Sequence, residues 1–139
     1  MSVLHRATGV VIAGRAVLIE GAPGSGKSSL ALALIDRGAV LIGDDGVTLT
    51  ARGGQLFASP PPNIAGLLEV RNLGLLEFPV ASDVRVALIV LLDQQAPRFI
   101  DAPELAERAG VMLPLVRLWP AQAAPELKVE LALTRYGLK

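Results

Sequence analysis

Gly21-Ala22-Pro23-Gly24-Ser25-Gly26-Lys27-Ser28 completes the pattern G-x-x-x-x-G-K-[ST]. A chain that carries it in working order has little freedom in how it folds nearby. The glycines let the backbone double back until successive N–H groups converge on one anion. A helix must begin within the motif, because its positive end faces the same anion. The flanks meet these demands. Residues 16–20 (AVLIE) form a short branched-apolar run that predicts a buried strand. Residues 27–37 (KSSLALALIDR) are strong helix formers that set Leu30, Ala31, Leu34 and Ile35 on one stripe, with Gly38 as the stop. Residues 39–43 (AVLIG) predict a second buried strand that ends at Asp44-Asp45, so strand, loop, helix and strand make a βαβ-like unit. In such a loop Lys27 supplies a flexible point charge for β- and γ-phosphates, and Ser28 offers a hydroxyl to Mg²⁺. Gly21 through Ser28, with Ser29 after them, are the candidate nucleotide-binding residues. An incidental glycine-rich turn would require neither the strand before it nor the helix after it.

Beyond this unit, residues 47–51 and 55–58 flank Arg52-Gly53-Gly54 and predict a β-hairpin. Residues 59–64, with Pro60-Pro61-Pro62, predict a stiff loop. Residues 66–78 (GLLEVRNLGLLEF) support no single assignment, since glycine and asparagine interrupt any helix. Residues 86–92 predict a third buried strand, and Asp101-Ala102-Pro103-Glu104 predicts the start of a short helix closed by Gly110. Residues 113–119 predict a strand, and 124–133, with Pro125 near its start, a last helix. With no repeat or linker, residues 1–139 are expected to form one α/β domain.

Composition narrows the function. Thirteen basic residues balance thirteen acidic ones, so there is no bulk field for nucleic acid or an anionic membrane. Aromatic residues make up only 4% of the chain, too few for a base-stacking platform. The absence of cysteine removes disulfides, thiolate metal sites and cysteine nucleophiles together. No targeting segment is visible, because His5, Arg6, Gly14 and Arg15 break the apolar N-terminal stretch. The apolar run at 86–92 is far short of the roughly 20 residues of a membrane helix. A cytoplasmic chain is the expectation. Its 52% hydrophobic content is high for so small a domain and points to apolar surface buried against another subunit.

Phosphoryl transfer also needs a metal anchor and a group to position or deprotonate the nucleophile. Asp44 and Asp45 stand where such acids sit in an open α/β sheet, at the tip of the strand after the loop helix. Asp-Asp-Gly is equally a good turn sequence. His5, the only histidine, and the charges Glu69, Arg71 and Arg98 are not identified by local spacing alone.

Taken together, His5, the loop GAPGSGKS, Leu41-Ile42-Gly43-Asp44-Asp45 and Leu68-Glu69-Val70-Arg71-Asn72-Leu73-Gly74 resemble the HPr kinase/phosphorylase catalytic domain. The last segment, LEVRNLG, is similar to the family signature LEIRGLG, which ordinary phosphate-loop proteins lack, with Asn72 in place of a glycine. The resemblance implies a P-loop α/β fold related to PEP carboxykinase, in the short form without the N-terminal domain that members often carry. It implies an ATP- and Mg²⁺-dependent kinase acting on a serine of HPr, the small carrier protein of the sugar phosphotransferase system. Phosphorylase activity in reverse and a cyclic homo-oligomer, a trimer or hexamer, are implied as well. Residue by residue, it implies His5, Lys27, Asp45 and Arg98 as catalytic, with Asp45 the proton acceptor. Ser28, Glu69 and Asp44 are the implied metal group. Two other functions share the same loop: a small-molecule kinase, which would need a base site and a mobile lid, and a non-catalytic ATP sensor.

Overall fold

The computed structural model describes residues 2–63 and 65–139; Ile64, the end of the predicted proline loop, lies outside them. In chain order the elements are β1 (Ser2–His5), β2 (Thr8–Ile12), β3 (Arg15–Gly21), α1 (Lys27–Asp36), β4 (Val40–Gly43), β5 (Val47–Arg52) and β6 (Gln55–Ser59). They continue with β7 (Leu67–Val70), β8 (Gly74–Glu77), β9 (Val84–Leu92), β10 (Glu104–Arg108), β11 (Val111–Leu118) and α2 (Pro125–Tyr136).

β9 is the centre. It pairs in parallel with β3 along one edge; its other edge meets β6 near its start and β11, again in parallel, near its end. The path β1-β5-β6-β9-β3-β2-β4 therefore curls into one large sheet, with β10 added outside β11. β2 runs antiparallel to both β3 and β4, so β3 and β4 point the same way with one strand between them. The expected βαβ-like unit is present in this form, and the chain leaves both of its strands at the same end of the sheet.

Alternation sorts the core into two clusters. Val17 and Ile19 of β3 and Leu88 and Val90 of β9 face the helices, against Leu30, Ala31 and Leu34 of α1 and Val129, Ala132 and Leu133 of α2. Ala16, Leu18, Val86 and Ile89 face the other way, toward Val47, Leu49 and Leu56 of the β5–β6 hairpin and Leu113 and Leu115 of β11. The register between β3 and β9 shifts after Ala16, where Ala87 is the extra residue. The bulge puts the successive residues Ala87 and Leu88 on the same face, toward the helices.

Two sequence expectations are corrected or resolved. The segment opened by Asp101 is strand β10, not a helix, and pairs with β11 from Glu104↔Leu115 to Arg108↔Val111. Gly110 is not a helix stop but half of a two-residue turn: Ala109 and Gly110 have φ of 49° and 82°, the conformation that reverses a hairpin. Local capping signals lost to a β-ladder along an open strand edge. Residues 66–78 resolve as the β7–β8 hairpin, with Asn72 left-handed in its turn at φ 74°.

Gly43, the last residue of β4, carries the chain into the Asp pair. A Cβ there would run into the carbonyl oxygen of Gly46 and stand 3.0 Å from Pro61 Cδ. Backbone cannot rotate away as a side chain can. Gly43→Ala is expected to cost about 1–3 kcal/mol, the range for overpacking, read as a lower denaturant midpoint. An unchanged midpoint would show that the turn is free to shift.

Candidate active site

Gly26, left-handed at φ 104°, is the N-cap of α1 and places no side chain over the helix start; the first turn holds no acidic residue. The orphan amides of that turn are thus left to a ligand. Lys27 folds back on the loop, its Nζ donating to the carbonyls of Gly21 at 3.0 Å and Ala22 at 3.3 Å. An ammonium has three protons, so one remains for an anion in the loop.

Asp44 ties three segments together. Its Oδ1 accepts from Ser28 Oγ at 2.7 Å and Thr8 Oγ1 at 3.1 Å, and its Oδ2 accepts from the Glu69 N–H at 3.2 Å. Thr8 is fully buried and also accepts the Asp45 N–H at 3.2 Å, which holds the two aspartates in different orientations. Asp45 sits left-handed at φ 57° and is exposed; its nearest cation is Arg6, at 3.9 Å. In β7, Leu68 is buried in the core against α1 while Glu69 is exposed, so alternation alone turns the carboxylate outward. The result is a cleft of about 350 Å³ lined by Lys27, Ser28, Ser29, Asp44, Asp45 and Glu69, together with Arg6 and Arg71. Cations and carboxylates oppose each other across it. Such a cleft can hold a polyphosphate, present oxygen ligands to a divalent cation and accept a proton.

Two predicted site residues are elsewhere. His5 does not line the cleft: its Nε2 meets Glu20 Oε2 at 2.7 Å. Arg98 lies in the loop after β9 and lines a separate apolar groove with Phe99, Trp119 and Tyr136. The structure also shows residues that sequence reasoning passed over. Thr8 had no signal, since a lone threonine is common anywhere. Glu20 had one: it is a carboxylate inside a buried strand, one residue before the loop, and a buried charge requires partners. Those partners are His5 and Arg108, whose Nη2 and Nε lie 2.6 and 3.0 Å from the two carboxylate oxygens.

The HPr Serine kinase C-terminal domain family matches residues 2–95, a span that contains every residue lining the cleft. The chain belongs to this family. Among curated relatives, the HPr kinase/phosphorylase of Exiguobacterium sp. is 37% identical over 110 residues, covering 73% of this chain and 34% of the relative. That of Clostridium tetani is 44% identical over 70 residues, covering 50% of this chain and 23% of the relative. The chain thus spans about a quarter to a third of the length of these relatives. A solved structure of the HPr(Ser) kinase/phosphatase from Coxiella burnetii superposes with a TM-score of 0.81 at 28% identity, covering 94% of this chain and 93% of that one. The family's α/β kinase fold therefore extends through β10, β11 and α2, past the segment that the family match covers. Among the described residues, no helix is long and apolar enough to cross a membrane.

The ion cluster beneath the loop has a consequence in acid. Burial pushes the Glu20 carboxyl up, but the hydrogen bonds and charges of His5 and Arg108 outweigh it and hold its pKa at about 2 instead of 4.5. A carboxyl depressed on folding adds stability that is complete above its unfolded value and is lost as pH falls toward the folded one. Glu20 is therefore expected to contribute up to roughly 3 kcal/mol at neutral pH, disappearing between pH 4.5 and about 2. Denaturant unfolding across that window should show the loss in the parent and a flatter profile in Glu20→Gln. Matching acid profiles would remove Glu20 from the account.

Proposed function

We propose that this chain is an ATP- and Mg²⁺-dependent protein serine kinase whose acceptor is an HPr-type phosphocarrier protein. One observation carries the reading. Asp44 is engaged by Ser28, Thr8 and the Glu69 amide, while Asp45, in the same cleft as Lys27, keeps an exposed carboxylate. One acid is built in; its neighbour is free to react.

The donor set suits Mg²⁺. Ser28 Oγ and the carboxylates of Asp44 and Glu69 are hard oxygen ligands lining one cleft. Among the described residues no three His, Cys, Asp or Glu side chains form a dedicated metal cage. Mg²⁺ asks for no such cage, since it takes one or two carboxylates together with substrate phosphates. Bound there, it would neutralise charge on the β- and γ-phosphates.

The chain's own groups do the rest. The open amides of α1 and Lys27 hold the phosphates. Asp45 takes the proton of the acceptor serine as that oxygen attacks the γ-phosphorus and the bond to the β-phosphate oxygen breaks, releasing ADP. In the phosphorylase direction, inorganic phosphate attacks phosphoserine, pyrophosphate forms, and protonated Asp45 returns its proton to the serine oxygen. His5 acts at one remove, through Glu20, on the strand end that delivers the loop. Arg98 lies outside this cleft, in the apolar groove after β9. The proposal includes a cytoplasmic homo-oligomer, a trimer or hexamer, supported by exposed apolar side chains such as Phe99 and Leu131.

The test uses labelled ATP, Mg²⁺ and purified HPr, with the modified residue mapped. The parent is expected to label one serine. Lys27→Ala should abolish turnover with the fold intact. Asp45→Asn should keep nucleotide affinity and lose about 10²–10⁴ in transfer rate, the usual worth of a general base. Asp44→Asn should instead weaken the dependence on Mg²⁺. Transfer by Asp45→Asn at the parental rate would sink the assignment of the base.

A further inference from the structure

We infer that Arg108, at the tip of the β10–β11 hairpin, is a positioning residue for phosphoryl transfer: through Glu20 it fixes the origin of the phosphate loop. The inference rests on the kinase reading proposed above. The family match ends at residue 95 and so assigns nothing to Arg108.

The strand that delivers the loop loses a neighbour just before it ends. β2 pairs with β3 from Ile12↔Arg15 to Thr8↔Ile19, and Glu20 and Gly21 continue beyond that ladder. Along its other edge the pairing with β9 persists, with Glu20 opposite Leu91 and Gly21 opposite Leu92. With the β2 edge open there, side-chain bonds to Glu20 supply the hold that a second strand would. Arg108 makes two of the three, from Nη2 to Oε1 at 2.6 Å and from Nε to Oε2 at 3.0 Å. His5 makes the third, at 2.7 Å to the same Oε2. A fork on both oxygens stops the carboxylate from turning, which one nitrogen on one oxygen does not.

The fork is itself held. Ala109 and Gly110 reverse the chain directly after Arg108, whose Nη1 donates to the Glu107 carbonyl at 2.8 Å. Val111, Leu113 and Leu115 are buried with Ala16 and Leu18 of β3, and alternation puts Glu20 on that same face. The guanidinium therefore reaches Glu20 from a hairpin seated on the core.

From Glu20 the constraint enters the site in two steps. Gly21 follows directly, and its carbonyl accepts from Lys27 Nζ at 3.0 Å. A swing of the chain at Glu20 would carry that carbonyl, and Lys27 with it, away from the phosphates. Charge adds to geometry. Glu20 is a carboxylate one residue from a loop that must receive a polyphosphate, and Arg108 offsets it with a permanent positive charge.

Calorimetry with ATP and Mg²⁺, and amide exchange over residues 21–29, read this arrangement without an acceptor. Both use the full chain, well below its unfolding transition. Arg108→Leu is expected to bind ATP about tenfold more weakly than the parent. Its loop amides should exchange faster, while exchange in the β7–β8 hairpin stays as in the parent. Arg108→Lys, which keeps the charge without the fork, should stand between the two, about threefold weaker than the parent. With HPr as acceptor, the KM for ATP should rise in Arg108→Leu while the KM for HPr stays within about twofold. A lower denaturant midpoint in Arg108→Leu with parental ATP affinity and loop exchange would overturn the proposal, leaving Arg108 a support of the core alone. Should Arg108→Leu not fold, Arg108→Lys decides: weaker ATP binding supports the proposal and parental binding overturns it. A parent that bound no ATP would instead overturn the kinase reading, and this inference with it.

Discussion

The 2.7 Å hydrogen bond from Ser28 to Asp44 joins two segments that the sheet keeps a whole strand apart. β3 delivers the phosphate loop and β4 delivers the Asp pair, and β2 runs between them in the opposite sense. Because β2 is antiparallel to both, its first residue lies at the end where the other two finish. That residue is Thr8, and its hydroxyl fills the gap between the loop and the acids. Remove the register or the antiparallel sense of β2, and Thr8 no longer stands beside Asp44. The cleft is thus an outcome of strand order before it is an outcome of side-chain choice.

The same end of the sheet carries a second polar layer. Glu20 is only 9% exposed, and a carboxylate buried to that extent would be expelled without partners. His5 arrives from β1, by way of the β5 hairpin, and Arg108 from the tip of the β10–β11 hairpin. A fork of two guanidinium nitrogens on one carboxylate is directional as well as strong. It ties an outer hairpin to the strand end beneath the loop, so the residue that precedes Gly21 has little room to move. A loop that must present its amides at one point gains from a fixed origin.

Polarity then divides the surface around α1. On the Asp45 side, cations and carboxylates alternate; on the α2 side, prolines, alanines and leucines prevail. The apolar groove beside Arg98, Phe99 and Trp119 shares no lining residue with the cleft on the Asp45 side and meets the one on the α2 side at Gln122.

Residues 16–45 were legible because each level of the code agreed there: a branched strand, a glycine loop, an alanine-leucine helix and a second branched strand. Local signals sufficed where the physics was local, and they placed Lys27, Ser28 and the Asp pair. Glu69 became visible only through the resemblance to a family, since nothing near it marks a carboxylate that will sit 25 residues from its neighbour in the cleft. Residues 101–110 misled because proline, aspartate and glycine cap helices and close hairpins alike; pairing with β11 decided between them. The sequence by itself determined the phosphate loop, its helix and the acids that follow. Tertiary structure alone decided that Thr8 would bridge those acids, that His5 would turn to Glu20, and that Arg98 would stand apart. The physical reason is range: a capping or turn preference acts over a few residues, whereas a hydrogen bond between strands depends on the order and register of the whole sheet.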